Sequence, residues 1–215
     1  MAPKHTILRN FFAGSIVSRL LECAIAQEAR FEPSGIVLDT DPGKIDPSIR
    51  KSMKLKSLGP IEKELRDNLG PLAPELTSLL AVTPFEASHL ELEIVAHGDG
   101  AFYRRHVDTF MGGASHGRQH ERMLSGVYYF HADPKGFSGG ALRLYSFVPS
   151  PDEKDSFVDI DPEHNSLVVF PSWAPHEVMP VICPSGRFID SRFALNCWFC
   201  RKTTEVRQLR GSGNI

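Results

Sequence analysis

"HLELEIVAH", residues 89–97, alternates polar and apolar side chains from His89 to Ile94 and closes on a short apolar run before His97. Successive residues of a strand point to opposite faces, so this alternation reads as a half-buried β-strand. The texture it opens continues. "LSGVYYFH" (124–131), "GGALRLYSF" (139–147), "NSLVVFP" (165–171), "PHEVMPVI" (175–182) and "SRFALNCWFC" (191–200) are strand-like segments separated by Gly, Pro, Asp and Ser. Before residue 88 the pattern is different. Residues 15–28 carry apolar side chains at 16, 17, 20, 21, 24 and 25, a helical stripe, and "PIEKELRDNLG" (60–70) and "PELTSLLAV" (74–82) read as two further helical pieces. The expected fold is mainly β with flanking helices. A run of short strands with Gly/Pro turns argues for a sandwich or jelly roll, one outer face of which the helices would cover.

The bulk composition narrows the class. The chain has 215 residues, 41% hydrophobic and 23% charged, which suits one globular domain. Its expected organisation is a helical support over 1–87, a strand core over 88–202 and a mobile tail over 203–215. A net charge of -2 gives no reason to expect nucleic-acid binding. The apolar stretch "FFAGSIVSRLLECAIAQ" is broken by Arg19 and Glu22, so it is expected to be an amphipathic helix and neither a signal peptide nor a membrane span. Four cysteines are few for the length, and the expected setting is reducing and cytoplasmic.

"RRHVDTF" (104–110) raises the chemical question. On a strand, His106 and Asp108 would project together, as two ligands of one cation. "HAD" offers a rival pair, His131 and Asp133, of equal spacing, although Asp133 precedes a strong turn signal. Of the nine histidines, His5, His89 and His164 sit among polar or turn residues and are expected on the surface. His116 and His120 lie in "MGGASHGRQHE", too rich in Gly for a helix, and are expected in a flexible loop. His176 follows a proline at the start of an apolar strand, a rigid place for a third ligand. Two histidines and one carboxylate form the facial triad of non-haem iron(II) oxygenases. "CWFC" (197–200) has the spacing of a redox pair, but its cysteines would point to opposite faces of a strand, as in core packing.

With "GDGAFYRRHVD", "GVYYF", "GGALRLY", "NSLVVFPSWAPHEVMPV" and "SRFALNCWF" in this order, the sequence resembles the prolyl-hydroxylase-like branch of the 2-oxoglutarate and iron(II)-dependent oxygenases. The resemblance covers residues 90 to 200 and implies a double-stranded β-helix. In that family the His-x-Asp and the distal His lie on adjacent antiparallel strands with four strands between them in sequence. Four candidate strands (121–130, 139–147, 155–159, 165–170) separate His106 from His176, and only three follow His131. The count selects His106, Asp108 and His176.

The resemblance further implies Fe(II), 2-oxoglutarate and O2, with ascorbate as an accessory reductant. It places the cosubstrate anchor at Arg192, with Arg187 as the fallback because "ICPSGRFID" lengthens the connection to His176. Arginine suits the task because its planar fork meets a carboxylate with two charge-assisted hydrogen bonds. Tyr129 matches a tyrosine that bonds the same carboxylate; without the resemblance it reads as a core aromatic. Asn196 is read as bonding a cosubstrate oxygen or a structural partner, and His97 stands near a cosubstrate-contacting position. The Gly-rich stretch 111–118 is expected to close over substrate. The expected reaction is hydroxylation of a prolyl residue in a protein or peptide, with succinate and carbon dioxide as coproducts, and Arg104 and Arg105 beside the site to steer an acidic partner. A free amino acid or other small molecule is the alternative substrate. A non-catalytic metabolite-binding module of the same fold is the alternative class.

Overall fold

The computed structural model of the chain describes residues 3–36, 44–109, 119–146 and 156–203. The first part supplies β1 (Thr6–Arg9), α1 (Gly14–Ala26), β2 (Glu32–Pro33), β3 (Arg50–Lys51), β4 (Met53–Leu55), α2 (Ile61–Leu69) and α3 (Ala73–Leu79). Then come β5 (His89–His97), β6 (Phe102–His106), β7 (His120–Phe130), β8 (Ser138–Gly139), β9 (Leu142–Tyr145) and β10 (Phe157–Ile160). The last are β11 (Ser166–Pro171), β12 (His176–Val178), β13 (Val181–Ile182) and β14 (Arg192–Lys202). A seven-stranded sheet runs β1-β11-β7-β14-β5-β4-β2, and a five-stranded sheet runs β10-β9-β12-β6-β3. Their pairings are antiparallel throughout, which gives the expected jelly roll.

Two hydrophobic cores lie on opposite faces of the larger sheet. Alternation along β14 sends Phe193, Leu195, Cys197 and Phe199 outward to the helices, where they meet Leu20 of α1 and Leu65 and Leu69 of α2. Ala194 points the other way, into a core between the sheets with Tyr129, Leu144, Val168 and Phe170. Leu20, Leu65, Leu69 and Leu195 have no exposed surface, and burial of each contributes about 1.5–3 kcal/mol. The helices form because their apolar residues recur at helical spacing. Ile61, Leu65 and Leu69 fall on one buried face of α2.

The structure departs from the sequence expectations in four places. The N-terminal third carries β1 to β4 as well as helices, and three of these strands extend the larger sheet. "GGALRLYSF" is not one strand: Gly139 and Gly140 take φ of 68° and 70°, which breaks β8 from β9 and leaves five strands between β6 and β12. "PHEVMPVI" divides into β12 and β13 on either side of Pro180, which has no N–H for a ladder. His120 lies in β7, not in a loop, and its ring stacks on His89 with centroids 4.8 Å apart. The expected closing loop over 111–118, His116 and the tail beyond residue 203 lie outside the described residues. No helix among the described residues is long and apolar enough to cross a membrane.

Candidate active site

β6 and β12 are neighbours in the smaller sheet, and their register sets His176 opposite His106. The two rings face each other with centroids 4.1 Å apart. Asp108 does not share the strand with His106, because β6 ends at that histidine. Its backbone N–H instead donates to the Ser172 carbonyl at 2.9 Å, in the turn that leads to β12. The carboxylate still reaches both rings: Oδ1 is 3.8 Å from His106 Nε2 and Oδ2 is 3.6 Å from His176 Nε2. One donor atom from each residue lies within 4.8 Å of the other two, a cluster able to hold a metal ion.

The proton positions suit ligation. His106 Nδ1 lies 2.8 Å from the Arg104 carbonyl, and His176 Nδ1 lies 2.9 Å from the Ala174 carbonyl. A carbonyl only accepts, so each Nδ1 carries a proton and each Nε2 is turned toward the cluster. Burial holds the His106 imidazole well below its ordinary pKa, and His176 adds to this against the opposing pull of Asp108. Burial alone would raise the Asp108 carboxyl. The two imidazoles, Arg122 and a hydrogen bond from Ser125 outweigh it and hold the group below the usual carboxylate range. The site therefore turns two imidazole nitrogens and one carboxylate toward a common point, the donor set a divalent metal requires.

A cavity of about 460 Å³ opens from the cluster, lined among others by Tyr103, His97, Arg192, Asn196 and Trp198. Arg192 is 1% exposed. Its Nε donates to the Gly140 carbonyl at 2.7 Å, and Nη1 lies 3.3 Å from His97 Nδ1. Nη2 and the hydroxyl of Tyr129 are buried with no hydrogen-bond partner of ordinary geometry. The guanidinium sits 4.8 Å from the centre of the Tyr129 ring, and no carboxylate side chain among the described residues pairs with it. A buried cation left without an anion is costly, so this end of the cavity is built to receive one. Arg187 is used otherwise. Its Nε and Nη2 both donate to Asp190, at 2.8 and 3.0 Å, outside the cavity lining.

The remaining candidates separate cleanly. Asn196 lies on the cavity face of β14, half-buried. His131 and Asp133 are not at the cluster; the His131 ring packs against His164 at 4.7 Å. Cys197 faces the helices, whereas Cys200 contacts Glu91 at 3.4 Å, so "CWFC" does straddle the sheet and all four cysteines are free. Arg104 donates to the Ser48 carbonyl, and Arg105 lies over the Tyr145 ring at 3.9 Å. Sequence reasoning misses Tyr103, which stacks on His106 with centroids 3.5 Å apart and whose hydroxyl burial pushes up to about 12. It also misses the two donors to Asp108, Ser125 and Trp198.

Comparison with known proteins agrees with this geometry. The model of the 2OG-Fe(II) oxygenase superfamily matches residues 92–200. An uncharacterized PKHD-type hydroxylase from Synechocystis is 38% identical over 154 residues, which are 70% of this chain and 48% of that protein. The chain thus spans about half the length of this curated relative. Among solved structures, a Pseudomonas putida prolyl-4-hydroxylase is 24% identical with a TM-score of 0.66, covering 93% of this chain and 94% of that one. A Trichoplax adhaerens prolyl hydroxylase, solved with a hypoxia inducible factor peptide fragment, is 21% identical with a TM-score of 0.65, covering 91% and 83%. At these identities the structures show a shared fold. The chain belongs to the 2OG-Fe(II) oxygenase superfamily, and its jelly roll is the one on which prolyl hydroxylases are built.

Proposed function

We propose that the chain is a 2-oxoglutarate and iron(II)-dependent hydroxylase acting on a prolyl residue within a protein or peptide. The observation that carries this reading is the buried, anion-less Arg192 in the same cavity as the His106, Asp108 and His176 cluster. The three would hold iron(II). The free Nη2 of Arg192 and the hydroxyl of Tyr129 would take the distal carboxylate of 2-oxoglutarate. Asn196, between that anchor and the cluster along β14, would bond a further cosubstrate oxygen. His97 holds the guanidinium from behind.

When bound, iron(II) with dioxygen supplies the oxidising power. One oxygen atom enters succinate as 2-oxoglutarate loses carbon dioxide, and the other becomes the new hydroxyl. The protein binds, orients and excludes water. The helices and the strands share one hydrophobic core, which supports a single oxygenase domain. The four free thiols fit a reducing setting such as the cytoplasm.

Among the described residues, the charges beside the cluster favour a peptide over a free amino acid. Arg122 is matched by Glu91, and Arg50 by Glu93. A free amino acid brings a carboxylate and an ammonium that each need an unmatched partner when buried. A prolyl residue inside a chain brings neither. The test is to incubate the protein with iron(II), ascorbate, 2-oxoglutarate and either a library of proline-containing peptides or free proline. Mass spectrometry should find one added oxygen on peptidyl proline. Oxidation of free amino acids alone would give the site to small molecules, and succinate formation by neither route would leave a binding module.

A further inference from the structure

Asp108 receives more hydrogen bonds than metal ligation requires. The Ser125 hydroxyl at 2.6 Å and the Trp198 indole N–H at 2.9 Å both donate to it, and both end on the same oxygen, Oδ2. A carboxylate oxygen has two lone pairs, so Oδ2 is filled. Oδ1 accepts no hydrogen bond among the described residues and faces His106 Nε2.

The donors are themselves held. Ser172 Oγ lies 2.9 Å from Ser125 Oγ. An ionised carboxylate can only accept, so Ser125 gives its single proton to Asp108, and Ser172 must then donate to Ser125. These two serines are 1% and 0% exposed, which removes competing water. The Ser172 carbonyl also accepts the backbone N–H groups of Asp108 and Thr109, at 2.9 and 3.1 Å. Ser172 therefore ties the Asp108 segment to the turn that carries His176. On the other side, Arg122 lies 3.8 Å over the Trp198 ring and is itself pinned by Glu91.

Resting on the metal site proposed above, we infer that Ser172, Ser125 and Trp198 form a clamp that commits Asp108 to one-point ligation through Oδ1 and so sets the metal affinity. They are positioning residues, since none of them lies among the ligand atoms.

The experiment is titration of the full chain with Mn(II) under anaerobic conditions, together with the visible spectrum of the Co(II) form as a reporter of coordination. Wild type should bind Mn(II) and Asp108→Ala should not; failure of the wild type to bind removes the metal reading itself, and the clamp with it. Given wild-type binding, Ser125→Ala and Trp198→Phe should each weaken Mn(II) by about 10–100-fold and shift the Co(II) bands. Ser125→Thr, which keeps the hydroxyl, should restore both. Ser172→Ala should lie between. If Ser125→Ala does not fold by circular dichroism, Trp198→Phe decides alone. Wild-type affinity with an unchanged Co(II) spectrum in the folded variants would overturn the clamp.

Discussion

Arg192 and His97 are register partners on β14 and β5, and the guanidinium Nη1 lies 3.3 Å from the imidazole Nδ1. An arginine only donates, so Nδ1 must hold a lone pair, and His97 is neutral. Burial, then the charges of Arg192 and Arg50, hold it well below its ordinary pKa.

This fixes the sign of a pH effect. Below about 6.5 an unfolded His97 takes up a proton that the folded one refuses. Stability should then fall with falling pH, with a slope of up to about 1.4 kcal/mol per unit from this residue, and be independent of it at higher pH. Urea denaturation of the metal-free protein from about pH 7.5 to 5.5 measures the slope. His97→Gln should reduce the slope by up to that amount, leaving the part that the depressed His106 contributes. Equal slopes would mean that His97 titrates alike in both states.

Arg192→Ala should raise the KM for 2-oxoglutarate by about thirtyfold or more, since losing the partner of a buried charge costs about 2–5 kcal/mol. Arg187→Ala should leave it nearly unchanged, because that guanidinium is spent on Asp190. Steady-state succinate assays rank the two. The reverse order would move the anchor to Arg187.

Gly140 gives a check on the same anchor from the backbone. It adopts φ +70°, and a Cβ there would lie 2.6 Å from Arg192 Cδ. Gly140→Ala should cost about 1–3 kcal/mol of stability and raise the KM for 2-oxoglutarate. A thermal melt and the succinate assay read the two effects. Wild-type values in both would show that Arg192 has slack.

Replacing His106, Asp108 or His176 by alanine should abolish stoichiometric iron and reduce 2-oxoglutarate turnover by at least about a hundredfold. Metal analysis of the anaerobically loaded protein reports the first and succinate release the second. Full iron and normal turnover in both His106→Ala and Asp108→Ala would displace the site.

Long strands leave a countable imprint, so β5 coincides with the strand-like stretch 89–97, whose first six residues alternate, and β14 begins one residue into "SRFALNCWFC". β2 and β3 have two residues each, too few for any period, and are visible only once β4 and β6 stand beside them. The same limit applies at the site. His106, Asp108 and Arg192 belong to motifs with fixed spacing. Ser125 and Trp198 lie 17 and 90 residues from the carboxylate they serve, and no local pattern links them to it. The single sequence signal for Trp198 is its parity: it shares the face of β14 with Arg192 and Asn196. Tyr103 is three residues from His106 and still escapes, because stacking depends on how the strand end turns.

β14 has a different job on each face, and that divides its tolerance to change. Odd positions from Phe193 to Phe199 hold the helices, and Arg192, Asn196 and Trp198 look into the cavity. Under random mutagenesis, hits at odd positions would vanish from the soluble fraction, whereas hits at Asn196 or Trp198 would persist as well-behaved protein with altered chemistry. Diversity for a new cosubstrate or a new metal can therefore be introduced at Asn196 and Trp198, passing over Ala194, without spending the stability stored behind the strand.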